Sequence, residues 1–114
     1  MKGADAEEHA LRHLQKHGLK LVAHNWRCRG GELDLILRDG DTLVIAEVRQ
    51  RSSEAFGGAS ASVDARKRGR IIQTTQLFLA EHPQYADAPV RFDVLALDGN
   101  GRIDWLRAAF DTDG

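Results

Sequence analysis

The chain has 114 residues, 42% of them apolar and 29% charged, with a formal net charge of −1. That excludes a disordered chain, which would be poorer in apolar residues, and the length suits one core but not two, so a single domain over residues 1–114 is expected. No apolar run reaches membrane-spanning length, no secretory signal pattern opens the chain, and Cys28 stands alone, without a partner for a disulfide or a cysteine-based zinc knuckle; a cytoplasmic protein with no membrane partner is expected.

In chain order, residues 4–17 predict a first helix, with Ala6, Ala10 and Leu14 on one stripe, Asp5, Glu7 and Glu8 in the first turn, and Gly18 as its stop. "LKLVAHNW" reads as a first strand, followed by a glycine-rich connection at "CRGG". Residues 32–38 and 42–49 predict two strands around the hairpin signal "DGD". "SSEAFGGASAS" is small, polar and glycine-bearing, which predicts a mobile surface loop. A second helix is expected from about Val63 to Glu81, capped by Ser62 and ended before Pro83, with Ile71, Thr75, Phe78 and Leu79 inward. "PVRFDVLAL" and "RIDWL" supply two more strands about the turn "DGNG". The order α-β-β-β-α-β-β is that of an α+β, sandwich-like domain with a mixed sheet flanked by helices.

Charge is unevenly distributed. Residues 49–70 hold Arg49, Arg51, Arg66, Lys67, Arg68 and Arg70 against only Glu54 and Asp64, whereas residues 81–114 are acidic in balance. A basic middle of this kind fits a polyanion, and Arg66, Lys67 and Arg70 recur at helical spacing; a solvated helix face is the plain alternative.

Asp34 and Glu47 lie inside runs that otherwise read as buried strand. If Gly40 and Asp41 form the hairpin loop, Asp34 stands directly opposite Glu47; if Asp39 and Gly40 form it, the two are diagonal neighbours. Either register puts both acids, and Arg49, on one face. Two adjacent carboxylates repel, and a divalent cation removes that conflict, since Mg²⁺ is typically held by one or two carboxylates plus phosphate oxygens. The competing reading is a wet hairpin face, or an ion pair with Arg49.

Other groups carry less. His9, His13 and His17 recur every four residues, but nothing completes a zinc shell around them. Trp26 and Trp105 sit in apolar strand patterns, which favours packing over base stacking.

"NWRCRGGELDLILRDGDTLVIAEVRQRSSEAFG", then "VDARKRGRI" and "RFDVLAL", closely resembles the YraN family of small uncharacterised bacterial proteins. The match covers nearly the whole chain. That family looks like an outlying branch of the PD-(D/E)XK nucleases, whose core order, α-β-β-β-α-β, agrees with the elements above. The resemblance implies a restriction-endonuclease-like fold and a nucleic-acid partner, expected to be DNA. It implies Asp34 and Glu47 as ligands of Mg²⁺ or Mn²⁺, with Glu7 completing the metal set, Glu8 as its substitute in a rotated helix, and Glu32 as an outer group. The nuclease pattern has lysine at the position of Arg49. Arginine can clamp phosphate but is effectively never deprotonated, and Lys67 on the following helix is a candidate replacement. The catalytic set is thus Asp34, Glu47, Arg49 and Lys67, and the nucleic-acid surface Arg49, Arg51, Arg66, Lys67 and Arg70. Two readings stand: a metal-dependent endonuclease acting on branched or flap DNA, for which a homodimer is a reasonable expectation, and a catalytically silent DNA- or protein-binding module.

Overall fold

The computed structural model describes residues 3–50 and 63–112. Helix α1 (Gly3–Lys16) is followed by strands β1 (Lys20–Cys28), β2 (Gly31–Asp39) and β3 (Thr42–Gln50). Helix α2 (Ala65–Glu81) and a short 3-10 turn (Pro83–Tyr85) lead to β4 (Val90–Leu97) and β5 (Ile103–Phe110). The five strands form one sheet in the order β1-β2-β3-β4-β5, in which only β3 and β4 run parallel. A parallel neighbour demands a crossover, and α2 lies on that connection. This is an α+β architecture with a mixed sheet, consistent with a restriction-endonuclease-like core.

Strand alternation sends side chains to two cores. Ala6, Ala10 and Leu14 of α1 are fully covered and pack with Leu35, Leu37 and Val44 on one face. Ile71 and Phe78 of α2 pack with Ile36, Ile45, Phe92 and Val94 on the other. The α1 stripe is therefore the one its spacing predicted.

The hairpin settles on the first of the two registers. Asp39 pairs with Thr42, so Gly40 and Asp41 form the loop. Gly40 takes φ +61°, the left-handed conformation that the tight primed turns require and that glycine adopts without a Cβ penalty.

Two boundaries and one helix face differ from expectation. Helix α2 is capped by Asp64 rather than Ser62: the Asp64 carboxylate accepts from the Lys67 N–H at 2.9 Å, as an N-cap acid does. Its inward set includes Thr74, with Leu79 only half-buried. Strand β5 runs on to Phe110 through a bulge at Ala108, φ +49°, whose N–H donates to Asp93 Oδ1 at 3.0 Å. Asp93 is 1% exposed and also accepts from Arg91 and from Trp105 Nε1. Trp26 meets Phe78 edge-on at 5.3 Å, so both tryptophans have packing roles. Among the described residues no helix is long and apolar enough to cross a membrane.

Candidate functional site

Asp34 and Glu47 meet where β2 and β3 part. The β2–β3 ladder is paired as far as Leu35 and Ala46, and one step further the same register sets Asp34 opposite Glu47. There the Asp34 side chain takes over from the backbone: Oδ2 accepts from the Val48 N–H at 2.9 Å, so a strand donor that would otherwise be stranded is satisfied. This bond fixes the carboxylate.

Glu47 is held differently. It sits on β3, which has a strand on either side and α2 above it, and its side chain is 3% exposed. Oε1 lies 3.0 Å from the Lys67 ammonium, while Oε2 is buried with no hydrogen-bond partner. Lys67 reaches this point because Asp64 caps the first turn of α2 and aims position 67 at the sheet; Ile71 and Thr74, at helical spacing, continue the same face.

Burial, and then the charge of Asp34, push the Glu47 carboxyl up to about 7, against the opposing pull of Lys67. Asp34 is also raised by burial, opposed chiefly by the Val48 N–H and Lys67. When Glu47 carries the proton it shares it with Asp34; when both are ionised, nothing in the described protein bonds to Oε2.

Around the pair lies an open cleft of about 280 Å³ between the start of β2 and the face of α2. Gly30, Gly31 and Glu32 form one side and Lys67, Arg70, Ile71 and Thr74 the other. Gly31 lies so close to α2 that a Cβ there would collide with the Thr74 hydroxyl, so the cleft depends on a residue without one. Glu32 is on the rim, 3.4 Å from Arg27.

The remaining candidates are placed as follows. Arg49, two residues beyond Glu47 on the same strand face, is half-buried, and its Nε is buried without a partner. Arg70 lines the cleft from the exposed side of α2, and Arg66 is exposed one turn earlier. Arg51 and the loop expected at residues 52–62 lie outside the described residues. Glu7 is not among the residues that line this cleft. It lines a separate recess with Leu21, His24 and Asn25, where burial, followed by the charge of Asp34, raises its carboxyl. Glu8 faces that same recess. No group of three or more His, Cys, Asp or Glu residues converges on a metal-binding point among the described residues, and His13 and His17 instead rest their rings against Trp105.

Two contributors escaped the sequence reading, Gly31 and Thr74. The i, i+4, i+7 spacing of Lys67, Ile71 and Thr74 already set Thr74 on the cleft side of the helix. The close approach of Gly31 has no local signal, because it depends on where α2 lands.

The sequence profile of uncharacterised protein family UPF0102 matches residues 6–97. The chain belongs to the UPF0102 family, that of the YraN proteins. A UPF0102 protein of Pseudomonas fluorescens Pf-5 is 53% identical, over 96% of this chain and 93% of its own length. The UPF0102 protein PSEEN4497 of Pseudomonas entomophila is 51% identical over 96% of this chain and 92% of its own. PA4424 of Pseudomonas aeruginosa PAO1 is 49% identical with the same coverage. The UPF0102 match spans α1 to the end of β4, and so includes Asp34, Glu47 and Lys67.

Proposed function

We propose that this UPF0102 protein binds DNA through its sheet–α2 cleft and, with Mg²⁺ or Mn²⁺ on Asp34 and Glu47, hydrolyses a phosphodiester bond. The observation that carries this reading is Glu47 Oε2, a buried acceptor without a donor, beside a second carboxylate. Leaving such an oxygen unpaired is costly; a proton shared with Asp34 removes the cost below about pH 7, and above it a cation is the ligand that does so. Mg²⁺ needs only one or two carboxylates, because it retains water and takes phosphate oxygens for the rest. A bound divalent ion would polarise the phosphodiester and ease ionisation of the attacking water.

The chain's own groups have distinct tasks in this scheme. The Val48 N–H holds Asp34 in one orientation. Arg49 presents a buried Nε–H that lacks an acceptor, which suits a phosphate oxygen. Lys67 supplies the ammonium at the acidic pair that the strand no longer provides at position 49. Arg70 and Arg66 extend a basic surface along α2 for the rest of the backbone.

A second reading, a silent binding module for DNA or protein, is favoured by one feature, arginine where the nuclease pattern has lysine. Incubating the protein with labelled linear, flapped and four-way DNA, in Mg²⁺, Mn²⁺ or chelator, separates the two. Metal-dependent cleavage that disappears in Asp34→Ala and Glu47→Ala supports the nuclease, and preference for flapped or four-way DNA would assign the substrate. Retardation without cleavage supports the silent module. If DNA is neither retarded nor cut at low salt, nucleic acid is not the partner.

A further inference from the structure

The four carboxylate oxygens at the cleft are not equivalent. Asp34 Oδ2 is taken by the Val48 N–H at 2.9 Å, and Glu47 Oε1 by Lys67 at 3.0 Å. What the protein leaves open on Glu47 is Oε2, which is buried and without a hydrogen-bond partner. A carboxylate whose one oxygen is held by an ammonium offers a metal the other first, because the cation competes for the electron density of the bonded oxygen. Single carboxylate oxygens suit a small ion that completes its shell with water, whereas Ca²⁺ takes six to eight oxygens in all and gains from carboxylates that can also bind through both oxygens.

From this we infer that Lys67 is a positioning residue that sets the ion preference of the site, by occupying Glu47 Oε1 and restricting Glu47 to one-oxygen ligation. The inference deepens the proposed function, since it rests on Asp34 and Glu47 being metal ligands. It assigns Lys67 a task that its charge alone would not perform. Removing a positive charge beside two carboxylates strengthens the binding of every divalent ion alike, and leaves the ratio between ions untouched. Freeing Oε1 has a different effect, because only an ion that uses both oxygens gains from it. The Val48 N–H supplies the corresponding restraint on Asp34, and as a backbone group it survives any substitution at position 67.

The test uses the full chain, freed of metal, at one fixed pH. Mn²⁺ bound by the protein is followed by electron paramagnetic resonance and displaced with Mg²⁺ or Ca²⁺, which gives both affinities and hence their ratio. Three proteins are compared: wild type, Lys67→Gln and Lys67→Met. Glutamine keeps an N–H donor for Oε1 but no charge, so both affinities should rise while the Ca²⁺/Mg²⁺ ratio stays near that of wild type. Methionine keeps neither, and its ratio should shift toward Ca²⁺ by about tenfold, the lower end of what loss of an outer-shell partner does to metal affinity. An unchanged ratio in Lys67→Met overturns the inference, as does an equal shift in Lys67→Gln and Lys67→Met, which would show that a donor on Glu47 Oε1 is not what sets the preference. If wild type binds no Mn²⁺ at all, the metal reading of Asp34 and Glu47 fails, and the inference with it.

Discussion

Glu47 ties the site to pH in a definite direction. Its carboxyl is raised from 4.5 to about 7 in the folded protein, so between these values the native state holds a proton that the unfolded chain releases. The stabilising contribution is thus fully present below about 4.5 and is lost as pH rises through 7. Urea midpoints in chelator should fall from pH 5 to pH 8, and Glu47→Gln should flatten the Glu47 part of that slope, worth up to about 3 kcal/mol. A divalent ion needs the ionised form, so its affinity should climb over the same interval. At Gly31 the constraint is steric. Gly31→Ala should cost about 1–3 kcal/mol in chemical denaturation by forcing the new methyl against Thr74. Adding Thr74→Ala removes the colliding oxygen, so the double variant should be more stable than the sum of the two single losses; simple additivity would deny the contact.

At the scale of elements, the reach of sequence reasoning depended on whether a feature was local. The α1 stripe and the β2–β3 hairpin follow from periodicity and turn chemistry confined to a few residues, and both are found where that reasoning put them. That Asp34 and Glu47 share a face was legible for the same reason, although the turn left two registers open and the fold selects the one that sets them opposite. Features set by tertiary packing were not legible. Asp64 displaces Ser62 as the cap of α2, since the position at which the chain enters the helix is decided by how Val63 and Ile71 seat in the core. Glu7, assigned by resemblance to the metal set, lines a recess with Leu21, His24 and Asn25 within reach of the charge of Asp34, a placement set by how α1 sits over the sheet. The length of β5 depends on Asp93, whose buried carboxylate joins Arg91, Trp105 and the Ala108 N–H across two strands. Asp93→Ala should therefore leave the Arg91 guanidinium without its main partner and cost about 3–5 kcal/mol, measured by thermal or urea unfolding. A loss below 1 kcal/mol would mean that the bulge holds without it.

Over the whole molecule, a sheet with one core on each face leaves the N-terminal half of α2, with its basic side chains, beside the gap where β2 and β3 separate. Acids that would be a liability in a closed sheet become available at this gap. The basic residues and the acidic pair are thus joined by topology, although up to 36 positions separate them in the chain, from Asp34 to Arg70. If the gap holds a divalent ion, as we propose, anomalous diffraction from crystals grown with Mn²⁺ should show a peak shared by Asp34 and Glu47, absent from a Glu47→Gln crystal under the same conditions. A well-ordered Asp34–Glu47 pair with no peak between them, or with the metal bound elsewhere, would contradict the proposal.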